Sequence, residues 1–272
     1  MVICSTHVFF YSQVLFYDHT VKIGKTTIAS SSVHHQVADL CWGADFTSHL
    51  FCATSITTGD EEADSRGFHQ IFDITKMQGL CRPDAKDAGH VCATSNDGRS
   101  LFLATRGSIF QNTLWQYDLA RKDSHSISHI QLLPCFNRNQ GKVTYISHSP
   151  DNIYLAVSGS CNQIHIYDSR FLGKGPLFQY AHTSSIAYTS SGSYGVVKAD
   201  WSSGHAGGQY LISGGADGCI RVWDTNRAHE RDNGWVWFNM NYDIGHFSLG
   251  NVDNGEKALI VGSLAGDVYS LD

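Results

Sequence analysis

Six aromatic or apolar segments, each closed by an aspartate, recur down this chain: QVLFYD ending at Asp18, HQIFD at Asp73, TLWQYD at Asp118, QIHIYD at Asp168, CIRVWD at Asp224 and DVYSLD at Asp272. Successive endings lie 45 to 56 residues apart. Self-similarity on that scale restricts a chain more than its composition does, because every repeat must solve the same packing problem in the same way. Each segment is too short for a helix of ordinary length and is rich in β-branched and aromatic residues, so each reads as a strand.

Upstream of each ending lies a strand of small and apolar residues: MVICST, HLFCATS, SLFLATR, YLAVSGS, YLISGGA and ALIVGSL. Five of these follow an earlier strand, in VADLCW, HVCATS, VTYISH, VVKADW and HFSLGNV. Turn residues separate the two, as at Asn96-Asp97-Gly98, Ser149-Pro150-Asp151-Asn152, Gly207-Gly208 and Asp253-Asn254-Gly255. Such pairs tolerate the positive φ that tight hairpins demand. A more polar fourth strand fits between units, in TTIASS, HIQLLP, PLFQYA and WVWFNM. A lone four-stranded sheet cannot bury both faces, whereas sheets stacked face to face around an axis can. A sandwich would show no such period. The expected fold is therefore all-β: one β-propeller domain over residues 1–272, with about six four-stranded blades. A partial unit, 1–18, leads, and the units that follow end near 73, 118, 168, 224 and 272. The first and last blades are incomplete, which reads as a truncated seven-bladed ring, an irregular six-bladed one, or an open ring that associates through its edges.

The unit YLISGGADGCIRVWDTN carries a small-residue strand, an Asp217-Gly218 turn and a Trp223-Asp224 ending, and VTYISHSPDNIYLAVSGSCNQIHIYDSR follows it closely with Tyr167 in place of tryptophan. On these residues the chain resembles the WD40-repeat family. The resemblance implies a buried hydrogen-bonded network of His182, Ser213, Asp217 and Trp223, with His35, His90 and His246 taking the histidine's place in other units. Tyr17, Phe72, Tyr117, Tyr167 and Leu271 replace the tryptophan elsewhere, so most units must rely on apolar packing. The family's members act chiefly as binding platforms, and the fold does not specify the task.

Residue patterns for chemistry are missing. Gly24-Lys25-Thr26-Thr27 echoes a phosphate loop, yet its first glycine is replaced by His19 and a strand follows it, leaving no helix N-terminus for a phosphate. Gly98-Arg99-Ser100 lacks the second glycine of a nucleophile elbow, since Phe102 stands there. The eight cysteines include no CxxC spacing, so reduced, buried thiols are expected rather than zinc or disulfides. His34-His35 is the one adjacent histidine pair, and strand neighbours point to opposite faces. Asp60-Glu61-Glu62-Ala63-Asp64 lacks the glycine and spacing of a calcium loop. No catalytic residue, cofactor or metal ligand is assigned. A propeller enzyme with a site in the axial channel is the least favoured reading.

Function is expected in loops held by the rigid sheets. Residues 55–67, 106–112 and 182–195 share one face, and within them Arg66, Arg106, Phe110 and Tyr188 are of types favoured at interfaces. The leading expectation is a scaffold that binds other proteins in the cytoplasm or nucleus. A net charge of −6 disfavours nucleic acid. The apolar N-terminus lacks a basic region and is too short to span a membrane, so it reads as two strands. Tyr167-Asp168-Ser169-Arg170 also resembles the Trp/Tyr-Asp-x-Arg signature of WD40 substrate receptors that dock on the adaptor of the cullin-4 ubiquitin ligase. That resemblance implies an adaptor-facing Arg170.

Overall fold

The computed structural model describes short strand segments ahead of residue 34 and then residues 34–43, 49–57, 66–73, 76, 78–107, 111–121, 123–133, 141–182, 195–203, 209–225, 234–250 and 255–271. The chain divides into two compact units, Met1–Leu132 and Leu133–Asp272.

In the first unit, β1 (Val2–Ile3) pairs with β2 (Val8–Phe9), and β3 (Val14–Tyr17), β4 (Thr20–Ile23) and β5 (Thr26–Thr27) form a three-stranded sheet. This departs from the expected partial unit over 1–18, in which MVICST and QVLFYD belong to one blade. Tyr17 instead pairs with Thr20. The alternating stretch Thr20-Val21-Lys22-Ile23 is a strand former only a turn away, and so short a loop costs little entropy to close. Of TTIASS, Thr26–Thr27 lies in a strand, and the remainder lies outside the described residues.

Two four-stranded antiparallel sheets complete this unit. One orders β6 (His34–Trp42), β7 (His49–Thr57), β8 (Gln70–Asp73) and β9 (Gln78–Cys81), and the next orders β10 (Ala88–Thr94), β11 (Ser100–Arg106), β12 (Asn112–Asp118) and β13 (Ser126–Gln131). Phe51, Ile71, Ala85, Cys92, Leu101, Leu103 and Tyr117 form the core between them. Residues Leu101 to Ala104 are all sealed from solvent, as expected of a strand covered on both faces.

The second unit repeats the plan. Its sheets are β14 (Val143–His148), β15 (Tyr154–Gly159), β16 (Gln163–Asp168) and β17 (Pro176–Ala181); then β18 (Val196–Ser203), β19 (Gln209–Gly215), β20 (Cys219–Asp224) and β21 (Gly234–Asn239); then β22 (Ile244–Leu249), β23 (Leu259–Ser263) and β24 (Val268–Leu271). The last sheet has three strands, as expected. A 3-10 turn lies at Leu172–Lys174.

The hairpins between first and second strands repeat one chemistry. Ser95 Oγ donates to Asp97 at 2.5 Å, and Ser149 Oγ donates to Asp151 at the same distance. The amides of Arg99 and Ile153 donate to those carboxylates, and the amides of Ser100 and Tyr154 to the serine oxygens. Gly98 and Asn152 supply the positive φ, at 68° and 61°. These side chains satisfy the backbone groups that a tight turn strips from the ladder.

Two irregularities also recur. Each first strand of the five larger sheets carries a bulge, between Val37/Asp39, Gly89/Val91, Val143/Tyr145, Val196/Lys198 and Ile244/His246. Each four-stranded sheet has a second bulge between its third and fourth strands. A bulge increases local twist, and the recurrence of the first-strand bulge at one register position gives successive sheets a common twist there. Side chains of the first strands also tie neighbouring sheets together. Thr94 donates to the carbonyl of Trp42, Ser147 to that of Ala199 and Lys198 Nζ to that of Phe247.

Candidate functional site

The structure brings His182, Ser213, Asp217 and Trp223 into one buried chain of hydrogen bonds. Trp223 Nε1–H donates to Ser213 Oγ at 2.8 Å, His182 Nε2 lies 2.7 Å from Ser213 Oγ, and His182 Nδ1 lies 3.0 Å from Asp217 Oδ1. The partners assign the tautomer: Nδ1–H donates to the carboxylate, and Nε2 accepts the serine proton. Cross-strand pairing sets the spacing, since Leu211 opposes Trp223 and Ser213 opposes Arg221. The Trp223 ring stacks on Tyr180, with centroids 4.8 Å apart. Gly234 lies opposite Trp223 in the ladder, where a Cβ would come 2.3 Å from the ring. Glycine is required there for close approach. Gly218, at φ 71°, closes the turn after Asp217, where a Cβ would press on the Met240 carbonyl.

This Ser-His-Asp order has the connectivity of a hydrolase triad, but Ser213 is 0% exposed and its oxygen already accepts the indole proton. No substrate atom can approach it, so the set acts as a structural clamp. Burial alone would raise the Asp217 pKa. The hydrogen bonds from His182, the Cys219 amide and Arg221 outweigh that and hold it near 2. Arg221 reaches the same carboxylate, with Nη2 3.0 Å from Oδ2.

Neighbouring sheets replace the clamp. Leu155 opposes Tyr167 as Leu211 opposes Trp223. By that register Val157 stands where Ser213 does and Cys161 where Asp217 does. In the first unit, Tyr117 takes the tryptophan's place and donates its hydroxyl to Asp84 Oδ1 at 3.0 Å while accepting from the Ala85 amide. Burial and the nearby Asp84 charge push the phenol's pKa far upward. Tyr117→Phe should lower the midpoint of urea unfolding, at a cost of about 1–2 kcal/mol; an unchanged midpoint would show that these bonds contribute nothing. His35, His90 and His246 lie inside β6, β10 and β22, not ahead of the strands as expected. His90 is the bulged residue of its strand. The network's histidine lies on the connection before the first strand, as His182 does, and a histidine within the ladder does not occupy that place.

Among the loop residues, Arg66 and Arg106 come together around Asp87. Arg66 forms an isolated bridge with Asp87, and Arg106 pairs with Ala88. A Cβ on Gly107 would sit 3.5 Å from the Asp87 carboxylate. Beneath them the buried His69 ring donates from Nε2 to the Asp87 carbonyl at 3.0 Å. Burial drives the His69 pKa down to about 4, raises that of Asp87 and lowers that of Arg106. Phe110, Tyr188 and the acidic stretch 60–64 lie outside the described residues.

Arg170 is half-exposed and folded back on its own motif. Its Nε and Nη2 donate to the two Asp168 oxygens at 2.9 and 2.8 Å. Arg170 thereby holds the Asp168 pKa below the usual carboxylate range. The free thiols among the described residues are Cys41, Cys81, Cys92, Cys161 and Cys219, of which only Cys92 and Cys219 are buried. The other three are partly exposed, against the expectation of burial. Among the described residues, no three His, Cys, Asp or Glu side chains converge to hold a metal, and no helix is long and apolar enough to cross a membrane.

Comparison with known families matches residues 130–168 and 177–224 to the WD domain, G-beta repeat model. Those spans end on Asp168 and Asp224, the two best-formed repeat endings. Those two spans are WD40 repeats, and the chain has the β-propeller fold. A solved structure titled "Structure of Dos1 propeller" superposes with a TM-score of 0.67 at 17% identity, covering 87% of this WD40 chain and 54% of that one. The WD40 chain thus spans about half the length of that structure. Solved chains that match number 1244, so the architecture is shared too widely to indicate a particular task. The search of curated proteins gave no match.

Proposed function

We propose that this WD40 protein is a non-catalytic scaffold that binds other proteins through the loops around Arg66 and Arg106. The observation carrying this reading is that the Ser-His-Asp set of Ser213, His182 and Asp217 is sealed and committed to holding a sheet together. By contrast, Arg66 is exposed, on a surface backed by paired strands. Arginine on a rigid base is favoured at protein interfaces because little side-chain order is lost on docking. The proposal places the protein in the cytoplasm or nucleus, with neither nucleic acid nor membrane as its ligand. Affinity purification of the wild type and of the Arg66→Glu/Arg106→Glu variant, followed by mass spectrometry, tests it. Partners recovered by the wild type should fall at least fivefold with the variant while its melting temperature is retained. Identical partner lists would remove the assignment of this surface.

A second reading, substrate receptor of a cullin-4 ubiquitin ligase, draws support from Arg170. Its guanidinium is held by Asp168 at an exposed position, and a preoriented cation costs less to dock. Arg170→Ala should then abolish co-precipitation of the ligase adaptor. Equal recovery with the variant counts against this reading alone.

A further inference from the structure

We infer that the turn after β16 is a second interaction site, which takes an acidic peptide segment carrying an apolar side chain, with Phe171 as its anchor. The turn is tied down from within. The Ser169 amide donates to the Ile153 carbonyl and its hydroxyl to the Asn152 carbonyl; the amides of Phe171, Lys174 and Gly175 donate to Asp168, Phe171 and Leu172. Leu172 is buried beneath it. The same turn nevertheless holds Phe171 52% exposed, and Leu177, on the strand it leads into, is 46% exposed. A large apolar ring fixed in water by so many backbone hydrogen bonds is preorganised, which is the property that separates an anchor from an incidental surface side chain.

The charges around the ring identify the partner. Lys174 Nζ lies 4.5 Å from the Phe171 centroid, and the Arg170 guanidinium lies 5.7 Å from it. Asp168 neutralises Arg170. The Lys174 ammonium has no carboxylate within salt-bridge distance among the described residues. A ring beside an uncompensated cation suits an apolar side chain flanked by a carboxylate, which would pair with Lys174 as the side chain covers Phe171. An anionic bilayer offers similar chemistry, but membrane adsorption draws on several basic residues together, and this chain carries a net charge of −6. A protein segment is the better fit. The inference concerns a surface separate from that of Arg66 and Arg106, so either can fail without the other.

The test uses the full chain and a fluorescein-labelled dodecapeptide of alternating Glu and Asp around a central Leu-Phe pair, read by fluorescence anisotropy. The wild type should bind it at least tenfold more tightly than the counterpart with lysine at every acidic position. Phe171→Ser should weaken binding at least tenfold, and Lys174→Glu should remove the preference for the acidic peptide. Ile260→Ser, at an exposed apolar residue of another sheet, should leave binding unchanged. Absence of wild-type binding, or full affinity in Phe171→Ser, overturns the inference. Phe171-dependent co-sedimentation with phosphatidylserine vesicles, at peptide affinities equal for both charges, overturns it in favour of a lipid surface.

Discussion

Replacing Asp217 with alanine is expected to lower the unfolding free energy by about 3–5 kcal/mol, the usual effect of removing one partner of a buried ion pair. The carboxylate serves four groups at once: the His182 ring, both contacting nitrogens of Arg221 and the Cys219 amide. Without it, a largely buried guanidinium and an imidazole N–H lose their acceptor, and the Ser213–Trp223 arm loses the histidine orientation that supports it. Cys161 stands at the corresponding position one repeat earlier and brings no carboxylate there, so Cys161→Ala should change stability by less than about 1 kcal/mol. Urea unfolding of the two variants checks the contrast, and equal losses would show that the clamp is not what stabilises its sheet. A pH signature accompanies the large effect. Asp217 has a native pKa near 2 against an ordinary value of 3.8, so its contribution is complete above pH 4 and is lost as pH falls toward 2, amounting to about 2 kcal/mol. Asp217→Asn should lack that acid limb.

The clamp was legible in the sequence because it joins four distinctive residue types at places fixed by a repeat. Trp223-Asp224 closes a strand, Asp217-Gly218 makes a turn, and Ser213 lies two residues beyond the partner of Trp223. The strands were legible for a related reason: a chain that must bury both faces of a central strand shows it as an apolar run such as Leu101-Phe102-Leu103-Ala104. The bulges were not legible. The skipped residues are Ala38, His90, Thr144, Val197 and Gly245, five side chains with no property in common, because a bulge answers to the curvature of the sheet and not to the residue placed in it. That is why histidines near the starts of β6, β10 and β22 resembled the network's histidine. β4 has no signal in the repeat, because Thr20–Ile23 follows an aspartate-ended strand closely and belongs to none of the recurring segments. Arg170 was found by its motif, but its pairing with Asp168 depends on a rotamer that a motif does not encode. Phe171 had no sequence signal, since exposure of a single aromatic residue is visible only once the buried ones are placed.

Between pH 6.5 and pH 4 the protein should lose stability steeply, on the order of 3 kcal/mol for each of two buried histidines. His69 lies in the first unit and His165 in the second, both sealed from solvent. Burial drives each pKa from 6.5 to about 4, at His69 against the opposing pull of the Asp87 carbonyl. A histidine held neutral in the native state binds fewer protons folded than unfolded between those two values. Stability is therefore full above pH 6.5 and falls with pH until the native ring itself protonates near pH 4. His69 donates to a carbonyl, and His165 Nε2 lies 3.2 Å from the Gln163 amide oxygen. A proton arriving on either ring would place a charge at a position where burial disfavours it. His165→Gln keeps a neutral polar group at the position and removes the titration. Its urea unfolding free energy should fall by about 3 kcal/mol less than that of the wild type between pH 7.5 and pH 4.5. Parallel decline of the two proteins over that range would mean that His165 is already charged in the folded state at neutral pH, and that burial does not hold its ring neutral there.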